Sequence, residues 1–397
     1  MAKHIDADAE AKKYLDCQLE KTKTERFPDL LTLLLVVALI GAFALSFWII
    51  PDRDFSEEEN RTLAQFPEFS VERLVSGDFT ADFAEYMAAQ FPLRDKLVGL
   101  KAASELAMVK LENNGVMING DTLAERFDEV NGENVKTNTD AIGAFVNACR
   151  DAGINAKFGV VGRAMDIVEF PMYGTDAEDA AWAKLDGIDM IDLRKAMEGH
   201  ENEYVYYRTD HHYTTLGAYY TYAYLAPEIG IEANAKDHYV IERASDEFYG
   251  TTYSKAGTKW IAPDEIDYYR FDGDDDFIVN VEDTGKARKG FYFREYLGQK
   301  DKYSSFLGGN YARVDIIGKA ADGEKRPKLL LVKDSFGHAL APFLAEHYDI
   351  VMIDPRYYRK PLVKLAQDEG IGTVLVICNM DTLSSATPFA VLRMGIK

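Results

Sequence analysis

The sequence predicts an α/β domain built on a mostly parallel sheet with helices on both faces, preceded by one N-terminal transmembrane helix. Three observations carry this expectation. Short, continuously apolar runs at Ala156–Val161, Lys328–Val332, Asp349–Ile353 and Thr373–Cys378 are separated by helical patterns, which is how strands read when both faces are buried under helices. Residues 30–50, LLTLLLVVALIGAFALSFWII, contain no charged or amide side chain; at about 1.5 Å per residue they cross a bilayer core of roughly 30 Å. The remaining length, within a chain of 397 residues that is 47% hydrophobic, is enough for a large buried core.

Taken in order, residues 1–29 carry six Lys/Arg and seven Asp/Glu. Lys21, Lys23 and Arg26 precede the apolar run and Arg53 is the close basic residue after it, so the positive-inside rule puts the N-terminus in the cytoplasm and the C-terminal part outside. Trp48 and Pro51 suit an interfacial boundary. The small-x-small Ala42-Phe43-Ala44 would also suit a cleaved signal peptide. The long polar tail and the apolar run continuing through Ile50 favour an uncleaved signal anchor. The net charge is -21, nearly all of it after residue 50. Such a surface repels nucleic acid and acidic headgroups and suits a soluble exported domain. Of the three cysteines, Cys17 falls in the tail, while Cys149 and Cys378 sit in apolar patterns and read as buried free thiols.

Residues 51–125 read as an acidic, irregular stretch followed by helices. Phe79, Phe83, Tyr86, Met87 and Phe91 form one stripe at helical spacing, and Leu97, Leu100, Ala103, Leu106, Ala107 and Leu111 another. Both are expected to be packing faces. Next comes a helix with Ile142, Phe145, Val146 and Cys149 on one face, ended by Gly153. The strand Ala156–Val161 follows it, and then a short strand at Ile188–Asp192. A tyrosine-rich helix over Leu216–Ile229 stops at Gly230, with Thr214 or Thr215 as its cap. Residues 231–325, rich in Tyr, Gly, Asp and β-formers, read as an inserted strand-rich region. Helices around Ala339–Glu346 and Pro361–Glu369 separate the last three strands.

Two segments carry the chemistry. Thr209-Asp210-His211-His212-Tyr213-Thr214-Thr215 offers an acid and two imidazoles just before a helix, and Lys333-Asp334-Ser335-Phe336-Gly337 offers a hydroxyl where a buried strand turns into another. The carboxyl edge of an open α/β sheet is where ligands bind. Together the segments supply the groups of a Ser-His-Asp hydrolase or acyltransferase in the chain order Asp, His, Ser. The bland alternatives are that Asp334 or Ser335 caps a helix and that the histidines only hold the loop. Spacing leaves open whether His211 or His212 is the base. Asp-His-His also offers metal-ligand types, but no His-x-x-x-His or Cys-x-x-Cys spacing accompanies it; the reading calls for no metal and no cofactor.

The segments Thr209–Tyr220, Leu330–Phe336 and Asp354-Pro355-Arg356-Tyr357-Tyr358, with Phe55–Leu63 and Phe306–Asn310, resemble the bacterial DHHW proteins. These belong with the alginate O-acetyltransferase-like branch of the SGNH hydrolases. The resemblance implies a three-layer α/β/α SGNH-like domain with Asp210, His212 and Ser335 as acid, base and nucleophile. Tyr213 stands where the family name expects Trp, and Lys333 replaces the glycine of the common Gly-Asp-Ser block. Gly309 and Asn310 are candidate oxyanion donors, and His211, Tyr213, Arg163 and Arg208 candidate substrate-binding groups. The organisation expected is a cytoplasmic tail (1–29), a signal anchor (30–50), a juxtamembrane helical region (51–125), an SGNH-like domain in two halves (126–230 and 326–397) and the insertion (231–325).

The expected activity is extracytoplasmic O-acetyl transfer to hydroxyls of a cell-surface or exported polysaccharide through an acetyl-serine. By the resemblance, a membrane-bound O-acyltransferase is the donor partner. A carbohydrate acetylesterase shares every catalytic residue, and a non-catalytic glycan-binding or assembly protein could keep the fold. The expected location is the cell membrane, single-pass, with the large domain outside and no nucleic-acid partner.

Overall fold

The computed structural model describes residues 12, 23–56, 61–108, 110–127, 130–320 and 325–396. Cys17, Lys21, most of the expected tail, the Glu57–Asn60 part of the Phe55–Leu63 segment and the side chains of Lys23, Arg26 and Trp48 lie outside the described residues. The chain divides into two compact units, one ending at Leu97 and one beginning at Val98.

In the first unit, helix α1 (Lys23–Ile49) contains the expected apolar run, and its stretch Phe27–Phe47 is long and apolar enough to cross a membrane. A short hairpin, β1 (Phe55–Ser56) with β2 (Arg61–Thr62), leads to α2 (Val71–Ser76) and α3 (Asp78–Ala89). Ser70 caps α2 by accepting from the Arg73 N–H at 3.1 Å. The aromatic stripe packs as expected: Phe79, Phe83 and Tyr86 of α3 meet Phe66 and Phe69 edge-on. The leucine stripe does not, for on α4 (Arg94–Ala107) Leu97 and Leu100 are exposed while Gly99 and Ala102 are buried.

After α4, whose residues from Val98 on belong to the second unit, comes a three-stranded antiparallel sheet, β3 (Glu112–Asn113), β4 (Val116–Asn119) and β5 (Thr122–Glu125), where helices were expected. Its first turn is Asn114-Gly115, both at positive φ, the residue pair a two-residue hairpin demands. Helix α5 (Gly132–Asp151), capped by Asn131, carries Ile142, Phe145, Val146 and Cys149 on its buried face. The main sheet then begins with β6 (Asn155–Val161). After short α6 (Ala164–Ile167) and α7 (Asp176–Trp182), β7 is only Ile191–Asp192, shorter than the run Ile188–Asp192 suggested. Helix α8 (Thr215–Ile229) starts at Thr214, whose hydroxyl accepts from the Gly217 N–H, and ends at Gly230 with φ 83°.

Strands β8 (Val240–Phe248) and β9 (Asp264–Arg270) pair with each other, and α9 (Thr251–Ala256) lies between them in sequence. Strands β10 (Ile278–Val281), β11 (Lys286–Lys289) and β12 (Arg313–Ile317) do not stand apart as an inserted module. They pair antiparallel and join the main sheet through β12 on β14. The chain closes with β13 (Lys328–Lys333), α10 (Gly337–Ala345), β14 (Asp349–Ile353), α11 (Leu362–Asp368), β15 (Thr373–Asn379) and α12 (Met380–Ser385).

The eight strands run β11-β10-β12-β14-β13-β15-β6-β7, with β14, β13, β15, β6 and β7 parallel. Period-two alternation sends Leu329 and Leu331 of β13 into one core with α8 and α10, and Leu330 and Val332 into the other with α5 and α11. This is the three-layer α/β/α arrangement. Cys149 and Cys378 are buried free thiols in the second core. Because α10 and α11 leave the carboxyl edge toward opposite faces, the end of β13 is a topological switch point, the place where open α/β sheets bind ligands. Ser335 lies there.

Candidate active site

The Asp-His-His segment is a tight hairpin. Tyr206 and Tyr213 bridge, and the Tyr207 N–H donates to the His212 carbonyl at 3.2 Å. The turn is held from below by Asp264, a fully buried carboxylate that accepts from the Arg208 N–H at 2.9 Å and the Thr209 N–H at 2.7 Å. Burial raises the Asp264 carboxyl, against those hydrogen bonds. With the hairpin fixed, Asp210 and His212 point the same way.

Asp210 Oδ2 lies 2.6 Å from His212 Nδ1, and His212 Nε2 lies 2.7 Å from Ser335 Oγ. A carboxylate only accepts, so Nδ1 carries the proton and the bare Nε2 accepts from the serine hydroxyl. The other carboxylate oxygen, Oδ1, accepts from the Thr251 N–H and hydroxyl, both at 2.9 Å. Thr251 follows Gly250, which touches the Asp210 side chain: a Cβ on Gly250 would lie 2.2 Å from Asp210 Cβ. Only glycine fits. His212, not His211, faces the serine; His211 Nδ1 bonds the Thr251 hydroxyl at 2.8 Å and its ring packs 3.8 Å from that of His212.

Burial is the largest influence on Asp210 and would raise its carboxyl, but the two imidazoles and the hydrogen bonds from His212 and Thr251 outweigh it and hold the group well below the carboxylate range. Burial lowers His212, to about 4, with repulsion from His211 adding and Asp210 opposing. At neutral pH the imidazole is therefore an unprotonated base beside an ionised acid. Tyr303 stacks flat on its other face, ring centroids 3.9 Å apart.

Ser335 follows β13 through an Asx turn rather than as a helix cap. Asp334 Oδ1 accepts from the Phe336 N–H at 3.1 Å, while Oδ2 accepts from the Asn379 N–H at 2.7 Å and the Thr382 hydroxyl at 2.8 Å. Burial raises Asp334, against these bonds. The Asn379 amide reaches in turn to the carbonyls of Val161 and Gly162. Ser335 itself is half-buried.

Lys333, where a glycine was expected, is almost fully buried, its Nζ 2.6 Å from His338 Nε2 and 3.5 Å from Asp354. Burial lowers the Lys333 ammonium, to about 8, and also lowers His338. Asp354 in turn grips Arg356 through both oxygens, at 2.9 and 2.6 Å, and Arg356 Nη2 donates to Asn310 Oδ1 at 2.8 Å. β13 and β14 run parallel with Val332 opposite Ile353, so the turns that carry Ser335 and Arg356 leave the same edge of the sheet. Ala312, paired with Asp354, brings Asn310 to the same edge. With its oxygen engaged by Arg356, Asn310 has Nδ2 as its free donor. Gly309, at φ 97°, gives the turn before it.

The remaining candidates have other surroundings. Arg163 is buried, stacked 3.7 Å over Phe127 and paired with Asp381 at 3.1 Å. Arg208 is tied to Asp121 at 2.9 Å and to Asp264. Tyr213 is fully buried and donates to the Phe336 carbonyl at 2.6 Å, so it braces the serine turn instead of walling a pocket. Donor atoms of Asp210, His211 and His212 lie within 4.8 Å of one another, and the carboxylate and both Nδ1 atoms are already engaged in the bonds above. An open cleft of about 600 Å³ borders His211 and Thr251, with Asn134, Asp381 and Ser384 on its walls. Sequence reasoning missed Thr251, Asp264 and Tyr303; of the network around Lys333 it had singled out Lys333, Asn310 and the Asp354–Tyr358 run, but not His338.

The DHHW protein family profile matches residues 186–354, the stretch holding Asp210, His212 and Ser335, which meets the resemblance read from the motifs. No curated protein matches the sequence. Among solved structures, a DHHW family protein from Eubacterium siraeum is 22% identical with a TM-score of 0.59, over 70% of this chain and 95% of that one. PatB1 of Bacillus cereus, solved with a sulfonyl adduct, is 18% identical with a TM-score of 0.55, over 69% and 98%. The same protein solved separately gives 16% and 0.56, again over 69% and 98%. These likenesses show a shared fold.

Proposed function

We propose that this chain is an extracytoplasmic O-acetyltransferase that moves acetyl groups onto hydroxyls of a cell-surface or exported polysaccharide. The observation that carries the reading is the hydrogen-bonded chain from Asp210 through His212 to Ser335, at 2.6 and 2.7 Å, on the carboxyl edge of the sheet. Ser335 Oγ attacks the acetyl carbonyl of the donor while His212 Nε2 takes the hydroxyl proton. The tetrahedral intermediate collapses, and His212 returns the proton to the departing donor oxygen, leaving acetyl-serine. A sugar hydroxyl then attacks with His212 again as base, and the proton goes back to Ser335 Oγ as the new ester leaves. Asp210 keeps the tautomer and offsets the imidazolium charge. The Asn310 Nδ2 donor at the same edge is the group we assign to the oxyanion. α1 supplies the anchor, and a membrane-bound O-acyltransferase is the donor partner that the DHHW resemblance suggests.

The test is acetyl release from p-nitrophenyl acetate by the full-length protein, with and without oligosaccharide acceptors, and with Ser335→Ala and His212→Ala beside wild type. Each variant should lose at least about a thousandfold in kcat, and acceptors should become acetylated at the expense of acetate release. A sulfonyl adduct has been solved on the structurally similar PatB1, so labelling of Ser335 by a sulfonyl fluoride is a second readout. Equal rates in all three proteins and no labelling would leave no support for an acyl-enzyme. Turnover that acceptors do not divert would make the chain an esterase.

A further inference from the structure

We infer that residues 66–93 form a second membrane-contacting element, lying in the headgroup and acyl boundary on the C-terminal side of the bilayer that α1 crosses. The inference rests on reading α1 as a retained anchor and is independent of the proposed chemistry. Its starting point is Phe91, in the connection between α3 and α4. The Phe91 ring stacks on Phe43 at 5.3 Å and meets Phe47 edge-on at 5.8 Å. Phe43 and Phe47 are one helical turn apart on α1, within the apolar stretch Phe27–Phe47. At about 1.5 Å per residue, Phe43 lies about 6 Å inside the end of that stretch. A residue seated against Phe43 therefore sits at the edge of the hydrocarbon.

The same unit exposes further large apolar side chains. Leu93, two residues on, is 59% exposed and holds φ 59°, the left-handed region a leucine rarely adopts. Phe66, Phe69, Val71, Leu74 and Val75 are all exposed, Val75 to 82%. These side chains are not on a loose tail. Phe66 packs on Phe83 and Tyr86, and Phe69 on Phe79, so a ladder of rings ties these two to α3, while Arg73 of α2 pairs with Asp82 of α3. So many large apolar side chains exposed within ten residues mark a surface that something covers. The bilayer is already in contact with the same unit through α1.

The charges indicate which lipid suits. Between residues 66 and 90 there are five acidic residues and a single basic one, Arg73. The contact is thus driven by apolar burial, not by attraction to anionic headgroups, and zwitterionic lipid is the surface that fits.

The experiment uses the full-length protein with Cys17→Ser, whose remaining thiols are buried, reconstituted into phosphatidylcholine vesicles. A small environment-sensitive fluorophore is attached in separate proteins carrying Val36→Cys, Val71→Cys, Val75→Cys or the exposed control Glu201→Cys. The expected result is deep doxyl-lipid quenching at position 36, shallow doxyl-lipid quenching with loss of iodide quenching at 71 and 75, and iodide quenching alone at 201. Iodide quenching at 71 and 75 equal to that at 201, with 36 still deep, would overturn the inference and leave the anchor standing. Protection at 71 and 75 from both quenchers would overturn it in favour of a protein covering the same face. Loss of lipid quenching at 36 would remove the anchor reading itself.

Discussion

Tyr303 lies face to face with His212, rings 3.9 Å apart and within 9° of parallel, while its hydroxyl donates to the Ser335 carbonyl at 3.2 Å. One residue thus fixes the plane of the His212 ring and the backbone at Ser335. The stack also denies water one face of the imidazole. Tyr303→Phe keeps the ring and drops one neutral hydrogen bond, so kcat should fall by less than about tenfold; Tyr303→Ala frees the imidazole and should cost about a hundredfold. Steady-state kinetics on both variants checks the order.

Gly250 is the floor under Asp210. Gly250→Ala puts a methyl where the Asp210 side chain is, so the carboxylate must move. The expected cost is about 1–3 kcal/mol of stability together with a loss of kcat approaching that of Asp210→Asn, about ten-thousandfold. Thermal melting and kcat measured on the same preparation test the pair of effects. Thr251→Val removes the hydroxyl that bonds both Asp210 and His211 but adds no bulk at the contact, so it should lower kcat less than Gly250→Ala at a stability cost of about 1–3 kcal/mol.

The pH dependence follows from His212. Its folded value is about 4 against an ordinary 6.5, so the neutral base persists into acid and the falling limb of kcat/KM should lie near pH 4, not 6.5. The sign for stability is the same as for any lowered histidine. Between 6.5 and about 4 the unfolded chain takes a proton that the folded one refuses, so stability drops as pH falls through that window. Asp210, held below its ordinary value, loses its own contribution further into acid. His211→Asn removes the repulsion from the neighbouring ring and should move the kcat/KM limb to higher pH. An unmoved limb would mean that His211 does not act on His212.

Arg356 and Asn310 should behave as one unit. If Arg356 matters because it turns the Asn310 amide so that Nδ2 faces the end of β13, Arg356→Met and Asn310→Ala should each lower kcat by about a hundredfold with little change in KM. The double variant should then be no worse than the poorer single one. Additive losses would separate the two residues.

The parts of this molecule that were legible in the sequence are those whose signal is local. β6, β13, β14 and β15 fall where continuous apolar runs predicted them, because a strand covered on both faces reads as a nearly continuous apolar run with its polar residues at or near the ends. Asp210, His212 and Ser335 stood in two short motifs at element boundaries. Partners brought in by tertiary structure had no such signature: Thr251 lies 41 residues from Asp210, and Asp264 lies 55 from Thr209. Residues 231–325 read as a strand-rich insertion, and the attachment of β10–β12 to the main sheet through β14 gave no signal because it is a matter of non-local register. Arg163 was read as a substrate-orienting group because charge predicts exposure, yet its guanidinium is buried over Phe127. The Asn114-Gly115 turn was a usable local signal that a helical stripe in the preceding residues obscured.

The clasp between Asp334 and Asn379 has a temporal consequence. His212 and Ser335 are 123 residues apart in the chain, and the serine's turn is held by the last strand of the sheet, which also pairs with its first, β6. Contacts of such long range form late. The turn that carries Ser335 is therefore set only once the last strand of the sheet has docked between β13 and β6.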